Sequence, residues 1–599
     1  MAAQRPMGCF NEPLVPMKSN RVLVFGDDTR SFLATVRSLG RCGLSVEVAP
    51  EDFRSPALRS RYVSAIHRLP HVVDDGAEWV AAVEELLRSN YFDLVIPCTD
   101  RTLLPLERHR ERLEKLTRLA IPGRLAMAVF FDKLLTRDAA AALGIALAPA
   151  VLATEMSHPD EIGARLGFPV IVKPCRSVRL DALHRQATVR LAETVDQLGS
   201  ALAELANDGC YVEGFFPGYG LGVSVLAERG VIRTAFQHHR IHQAARGGSS
   251  AYRVSATLSP DLLWACGRLC AHTDFTGLAM FEFRRDPSTG AAVLLEVNAR
   301  PWGSMPLPVA LGVDFPASLY RLLVDGSPVE ARGYRPSVYG RNFDLDVSFA
   351  LKSASQMTGW ARRTFFLARW VAGFSRLLLG REKLDTLAGD DPAPAAAEFR
   401  LFATRGCRWL ARRLPGHPAV GRALARARLR RALRRTRREG KPAVVAFVCY
   451  GNICRSAFAE RALTRALADR SEHVTVRSAG THQVSGRPSP PEAREAARRL
   501  GVDLLPHLSQ HVTPELLRAA TVLIAFDQSN VDALRGRFQD GDRPIILLGS
   551  LLDTARHPEI GDPYGSGPAA FDHVFGLIEQ GVRVVRDCIA ETPSPGVWA

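Results

Sequence analysis

Short apolar runs alternate with helical patterns from the start of the chain. Arg21-Val22-Leu23-Val24-Phe25-Gly26 reads as a strand ending at Gly26, Ser31 to Leu39 as a helix, Leu44 to Val48 as a second strand and Phe92 to Pro97 as a third. Strands alternating with helices predict an open parallel sheet, whose ligands lie beyond the carboxyl ends of the strands. Gly26 to Arg30 and Cys98 to Thr102 occupy those ends and are candidate substrate contacts, although ordinary turns explain each of them equally well.

A second pattern begins near residue 122. Phe131-Asp132-Lys133 opens a helix, and Phe168-Pro169-Val170-Ile171-Val172-Lys173-Pro174 is an apolar strand that ends in Lys173. Met280-Phe281-Glu282-Phe283 and Leu294-Leu295-Glu296-Val297-Asn298 are two strands joined by the turn residues Asp286 to Gly290. A period of two places Glu296 and Asn298 on one face, and hairpin pairing brings Glu282 beside them. Two carboxylates in an apolar setting repel unless a cation compensates. Mg²⁺ carried on ATP phosphates, with Mn²⁺ as a substitute, is such a cation, because it takes hard oxygen ligands and keeps phosphate in its shell. Arg300, two residues on, is placed to meet the same phosphates and stabilise a transferring group.

The last alternation, an apolar run from Val444 to Val448 and a helical pattern from Ala457 to Ala468, encloses Cys449-Tyr450-Gly451-Asn452-Ile453-Cys454-Arg455-Ser456. Five residues between Cys449 and Arg455 let the loop curl, so that backbone N–H groups, the helix N-terminus and the guanidinium face one tetrahedral dianion. The same field favours the thiolate of Cys449 as a nucleophile. Spacing alone does not select this loop, since Cys407 and Arg413 repeat it inside a basic helix. Its context does: a preceding strand, Gly451 and Asn452 for an unusual backbone, and the Ser456 hydroxyl as a donor to sulfur.

A length of 599 residues predicts about three or four domains, and 47% hydrophobic content supplies their cores. No window reaches the uncharged apolar length of a spanning helix, and residues 1 to 20 lack an apolar signal core and read as a loose leader. Eleven scattered cysteines without metal-ligand spacing fit a reducing compartment, so a cytoplasmic location is expected. The charge of +15 is concentrated: Arg400 to Lys441 holds 15 basic residues against Glu439 alone, which leaves the rest of the chain near neutral.

The residues from 122 to about 326 resemble the ATP-grasp carboxylate ligases of the carbamoyl-phosphate-synthase-like type. The resemblance implies that Lys133 and Lys173 reach ATP phosphates, and these stand out in a chain with only seven Lys against seventy Arg. It implies that Tyr211-Val212-Glu213-Gly214-Phe215-Phe216-Pro217-Gly218 is the adenine hinge, with Glu213 reading the amino edge. It also implies a metal set of Glu282, Glu296 and Asn298, followed by Arg300 in Glu-Val-Asn-Ala-Arg-Pro-Trp-Gly-Ser. One departure stands out: Cys175 to Asp181, where the superfamily carries a glycine-rich lid, has no glycine. Arg246 to Ser250 is a candidate second mobile loop.

From about Pro442 to Ile589 the chain resembles the low-molecular-weight protein tyrosine phosphatases. The resemblance implies that Cys449 forms a phosphocysteine, Arg455 holds the equatorial oxygens, and Asn452 and Ser456 shape the loop and steady the thiolate. It assigns Asp562, in Gly561-Asp562-Pro563-Tyr564, as the general acid and later base, and gives Ser478 and Asp527 supporting positions. Cys454 is a second loop thiol, suited to a protective disulfide with Cys449 or to simple packing. A relative with the same loop reduces arsenate through additional cysteines. Only Cys588 follows Cys454, so the phosphatase reading is preferred.

Between these parts, Thr364 to Leu379 has an apolar face of Phe365, Phe366, Trp370, Phe374, Leu377 and Leu378 with Arg369 and Arg376 along its edge. Core packing and a surface membrane helix both fit, and packing is preferred. The basic run is either a solvated connector or a contact for acidic lipid, nucleic acid or a protein partner.

The expected architecture is therefore a multidomain α/β chain. It comprises an N-terminal open parallel α/β domain (20–121), ATP-grasp α+β domains (122–330), a helical and basic linker region (331–441), and a doubly wound α/β phosphatase domain (442–595). The expected function is bifunctional. A Mg-ATP-dependent ligase activates a small-molecule carboxylate as an acyl phosphate for an amine or other nucleophile, and a cysteine-dependent phosphatase acts on a phosphotyrosine protein or a small phosphomonoester. The alternatives are an ATP-sensing, non-catalytic grasp domain that regulates the phosphatase, and an arsenate-reductase-like C-terminal domain.

Overall fold

The computed structural model describes residues 18–591, apart from 73–74, 154–157, 182, 184–188, 206–208, 244–249, 412–416, 468–473, 483–484, 538–542, 554–557 and 566. The leader up to residue 17, residues 246–249 of the second candidate loop, and Arg413 lie outside the described residues. The chain divides into two compact units, Met1–Phe402 and Ala403–Ala599.

The first unit opens with a parallel sheet of β1 (Arg21–Phe25), β2 (Ser45–Ala49), β3 (Val63–Ile66) and β4 (Leu94–Pro97), in the order β3-β2-β1-β4. Alternation along β1 fixes its two faces. Val22 and Val24 pack with Phe32, Leu33 and Val36 of the helix Ser31–Arg41, whereas Leu23 and Phe25 pack with Trp79 and Val80 on the other side.

An antiparallel sheet follows, built from β5 (Ala150–Ala153), β6 (Val170–Pro174), β7 (Arg190–Ala192) and β8 (Cys210–Gly214) in the order β5-β8-β6-β7. Val170, Val172, Cys210 and Val212 face two helices, Pro159–Leu166 and Val195–Leu205. The same alternation turns Lys173, Tyr211 and Glu213 to the opposite face.

The largest sheet has seven strands: β9 (Tyr219–Glu228), β10 (Val231–Gln243), β11 (Ser250–Ala256), β12 (Gly277–Arg285), β13 (Ala292–Asn298), β14 (Tyr339–Arg341) and β15 (Glu382–Leu384). Their order is β13-β12-β9-β10-β11-β14-β15, with β14 and β15 supplied by the segment that carries no chemical motif. Leu221, Val223, Val225, Phe281 and Phe283 fill one face together with the helix Pro260–His272. Gly222, Ser224, His238, Glu282 and Glu296 therefore share the other face, because Glu282 pairs with both Gly222 and Glu296 and Gly222 pairs with His238.

The second unit is a parallel sheet of β16 (Ala443–Cys449), β17 (Val474–Gly480), β18 (Val522–Ala525) and β19 (Ile545–Leu547), in the order β17-β16-β18-β19. Val445 and Phe447 point to the helices Arg455–Ala466 and Pro568–Ala590, and Ala446 and Val448 to the opposite layer with Leu517 and Leu534. The basic helix His417–Arg438 is part of this unit: Leu429 and Leu433 are fully buried in the same core as Phe447. Its outward arginines Arg428, Arg431 and Arg435 line a cleft of about 900 Å³ with Arg518, Arg535 and Arg543.

Candidate functional site

In the second unit β16 delivers Cys449 to the carboxyl edge of the sheet, and the chain turns through Asn452 at φ 51° before entering the helix at Arg455. Asn tolerates this left-handed backbone better than most side chains. The Asn452 amide N–H donates to Cys449 Sγ at 3.2 Å, and Ser456 Oγ lies 3.0 Å from the same sulfur. Asn452 Nδ2 donates to Ser456 Oγ at 2.9 Å and to Ser478 Oγ at 2.8 Å, and the Ser478 hydroxyl donates onward to Glu460 at 2.6 Å. The sulfur thus has two close polar neighbours, the Asn452 N–H and the Ser456 hydroxyl, and the Asn452 side chain holds the hydroxyls of Ser456 and Ser478.

Arg455 is buried and bridges two carboxylates, Nη1 donating to Asp527 at 2.6 Å and Nη2 to Asp562 at 2.7 Å, with Ile560 O accepting from Nη1 at 3.0 Å. Burial works against its charge, but Cys449, Asp562 and Asp527 outweigh that and raise its pKa further. Asp527 is held below the usual carboxylate range: burial opposes ionisation, and the Ser529 hydroxyl, Arg455 and the Asn530 amide overcome it. Arg455 Nε is buried without a hydrogen-bond partner among the described residues, which leaves one N–H suited to an anionic oxygen. Burial pushes the Cys454 thiol far up, so it stays protonated. Tyr450 and Tyr564 stand exposed at the rim.

Cys449, Asn452, Arg455, Ser456 and Asp562, chosen from the sequence, are therefore gathered at one place, with Ser478 and Asp527 beside them. Three further residues were not singled out from the sequence. The Gln510 amide donates to Asn452 Oδ1 at 2.7 Å, the His507 ring lies 2.7 Å from Asn452 O, and a Cβ on Gly480 would sit 2.7 Å from Tyr450 O. All three act on the loop from 28 or more positions away in the chain.

A loop that surrounds a thiol with donors and adds a buried guanidinium, at the strand ends of a parallel sheet, defines a protein of the phosphate-ester hydrolase class. Residues 444–592 match the family model described as "Low molecular weight phosphotyrosine protein phosphatase", and the chain belongs to this family. It is 32% identical over 133 residues to the "Low molecular weight protein-tyrosine-phosphatase Etp" of Escherichia coli (strain K12), covering 22% of this chain and 85% of that protein. It is 31% identical over 135 residues to the "Probable low molecular weight protein-tyrosine-phosphatase EpsP" of Ralstonia solanacearum, covering 22% and 88%.

The first unit gathers its candidates between the two antiparallel sheets. Glu282 and Glu296 are direct partners across β12 and β13, and Asn298 Nδ2 lies 3.2 Å from Glu282 Oε1 and 3.3 Å from Glu296 Oε1. Arg240 pairs with Glu282, and Lys133 Nζ stands 3.9 Å from Glu296 and donates to Ser177 Oγ at 2.8 Å. Burial works to raise the Glu296 pKa, but Lys133 and Lys173 together bring it below the ordinary value. Among the described residues no group of three or more His, Cys, Asp or Glu is arranged to hold a metal. Two facing carboxylates, with the Asn298 side chain turned to offer Oδ1 in place of Nδ2, would fit Mg²⁺ whose shell is completed by phosphate and water.

Glu213 and Arg300 are engaged within the protein. The Glu213 carboxylate is buried and receives Lys173 Nζ at 2.8 Å and Arg137 Nη1 at 2.6 Å. Arg300 forms a two-pronged pair with Asp100 at 2.6 and 2.9 Å and donates its Nη1 to Pro301 O. Asp100, in the stretch after β4 singled out from the sequence, opens the helix Asp100–Arg108, and with Lys133, Ser177, Glu296 and Asn298 it lines a cavity of about 320 Å³. Arg137 and Arg240 were not expected; nothing in the local sequence marks them.

The chain is also similar to solved structures. An N5-carboxyaminoimidazole synthetase from Staphylococcus aureus complexed with ADP aligns at a TM-score of 0.43 and 15% identity, over 53% of this chain and 81% of that one. An L-amino acid ligase from Bacillus licheniformis aligns at 0.42 and 18%, over 54% and 79%.

Proposed function

We propose that the chain is a bifunctional enzyme, a cysteine-dependent phosphomonoesterase with preference for phosphotyrosine joined to an ATP-grasp ligase. The phosphatase reading is carried by one observation: Cys449 Sγ accepts from Asn452 N and sits 3.0 Å from Ser456 Oγ. In this reading Arg455 exchanges its hold on Asp562 for the equatorial oxygens of the phosphoryl group. Asp562 then gives its proton to the leaving oxygen and later takes one from water. The exposed Tyr564 beside it offers a face to an aryl leaving group. Cys588 is buried in the core around the C-terminal helix, a poor position for a thiol relay, which favours this reading over an arsenate reductase.

The ligase reading is supported by the Glu282–Glu296 pair set among Lys133, Lys173 and Arg240. Mg²⁺ on ATP, held by Glu282, Glu296 and Asn298, would supply charge neutralisation for transfer of the terminal phosphoryl group to a small-molecule carboxylate. Lys133 and Lys173 are the residues for the phosphates, and Glu213 orients Lys173. Asp100 fixes Arg300 at the edge of the cavity. An amine or other nucleophile would then displace the phosphate.

A non-catalytic, ATP-sensing grasp domain is the second reading, favoured by the lid segment without glycine and by the full engagement of Arg300. Release of ADP on addition of pooled carboxylates and amino acids supports the ligase; tight ATP binding with no turnover supports the sensor. For the basic run, an anionic partner fits the arginine-lined cleft better than a solvated connector does, since Leu429 and Leu433 fasten the helix to the phosphatase core.

A further inference from the structure

The helix Trp360–Ala372 buries none of its residues. Trp370 and Phe374 anchor this region from inside: the Trp370 indole N–H donates to Asp346 at 2.8 Å, and Phe374 packs edge-on to Phe343 and under Arg341. The outer side is also apolar. Trp360 is 79% exposed, Phe365 71% and Val371 59%, and with Ala361, Ala368 and Ala372 they cover an arc of about 140° on the helix. Leu378 and Leu379, on the next turn, are 89% and 69% exposed, and Leu351 on the adjoining helix Phe343–Gln356 is 60% exposed. Contiguous exposure of so many large apolar side chains is unusual for a free surface.

The segment that carries this face has charge of one sign. No Asp or Glu occurs from residue 347 to 381. Lys352, Arg362, Arg363, Arg369 and Arg381 are exposed there, and none is paired with a carboxylate among the described residues. Arg376 is the exception among the cations, stacked 4.7 Å over Tyr339.

We propose that this face docks on an anionic lipid surface, with Trp360, Phe365, Leu378 and Leu379 entering the headgroup boundary and the surrounding cations meeting lipid phosphates. Aromatic and leucine side chains flanked by Lys and Arg are the combination an interfacial helix requires. At 13 residues the helix is about 20 Å long, so it lies in the interface and does not span it. A second copy of the chain is a poorer occupant: a two-fold contact would bring two sets of like charges together.

The test is cosedimentation of the full chain with vesicles of phosphatidylcholine alone or with about 30 mol% phosphatidylglycerol. Binding is expected to the anionic vesicles, to weaken with salt, and to fall at least about tenfold when Trp360, Phe365, Leu378 and Leu379 are all changed to Ala. An unchanged far-ultraviolet spectrum and thermal midpoint of the first unit in that variant show that the unit carrying the substitutions is folded. Binding should also shift tryptophan emission to the blue, and Trp360→Phe should remove the shift. The proposal is overturned if the parent does not bind, if the four-fold variant binds as well as the parent, or if neutral vesicles bind equally. It is also overturned if the parent is a lipid-free dimer that the variant converts to monomers.

Discussion

Gly480 shapes the thiol loop without belonging to it. A methyl group there would lie 2.7 Å from Tyr450 O and 3.0 Å from Asn452 N, both backbone atoms that cannot rotate away. Gly480→Ala is therefore expected to push the loop off the sulfur and lower kcat/KM for p-nitrophenyl phosphate by about a hundredfold, while the far-ultraviolet spectrum and thermal midpoint stay close to the parent's. An unchanged rate would show that the loop yields freely. Cys449, Asn452, Arg455 and Ser456 are legible in the sequence because they lie within eight consecutive positions and form one another's surroundings. Gly480, His507 and Gln510 are not, because their value depends on a crossover in the sheet and a distant loop. Arg240 is invisible for the same reason: it reaches Glu282 only through the packing order β12-β9-β10.

At the level of elements, the carboxylate hairpin is legible from period two and its turn residues, and with a six-residue connection and a register shift between Glu282 and Phe283 the pairing brings Glu282 opposite Glu296. Glu296→Gln removes one charge of the pair, and Mg-ATP affinity measured by calorimetry should drop by about tenfold or more with no change in phosphatase rate. Equal affinity in both proteins would remove the proposed metal set. The basic helix is less legible. Fifteen cations against one acid conceal two apolar positions, Leu429 and Leu433, which decide how the helix packs. Leu429→Ala and Leu433→Ala should each destabilise the second unit by about 2–5 kcal/mol in urea denaturation. A free connector would tolerate both without loss. The segment from Thr364 to Leu379 departs from the packing preferred on sequence grounds. Its inner stripe of Trp370 and Phe374 is enough to anchor it, and the remaining apolar residues exceed what one buried face can hold.

For the whole molecule, the thiol loop and the carboxylate hairpin each lie in a compact unit of their own. Both place cations and donors around a point where negative charge gathers, by different means: a thiol loop at the end of a parallel sheet in one, a carboxylate pair with lysines between antiparallel sheets in the other. No helix among the described residues is long and apolar enough to cross a membrane. The fold class was readable because alternation and helical periodicity are local, whereas β14 and β15, in the region read as a helical and basic linker, join the largest sheet only through packing. The carboxylate and acceptor of the proposed ligase were not readable, since these depend on the shape of a cavity assembled from four stretches of chain.

The most direct test of the phosphatase centre is rapid quenching of the enzyme during turnover of an aryl phosphate, followed by mass analysis of the active-site peptide. A single phosphoryl group on Cys449, lost in Cys449→Ser together with all hydrolysis, is the predicted result. Continued hydrolysis by Cys449→Ser, or a phosphoryl group found on another residue, would contradict it.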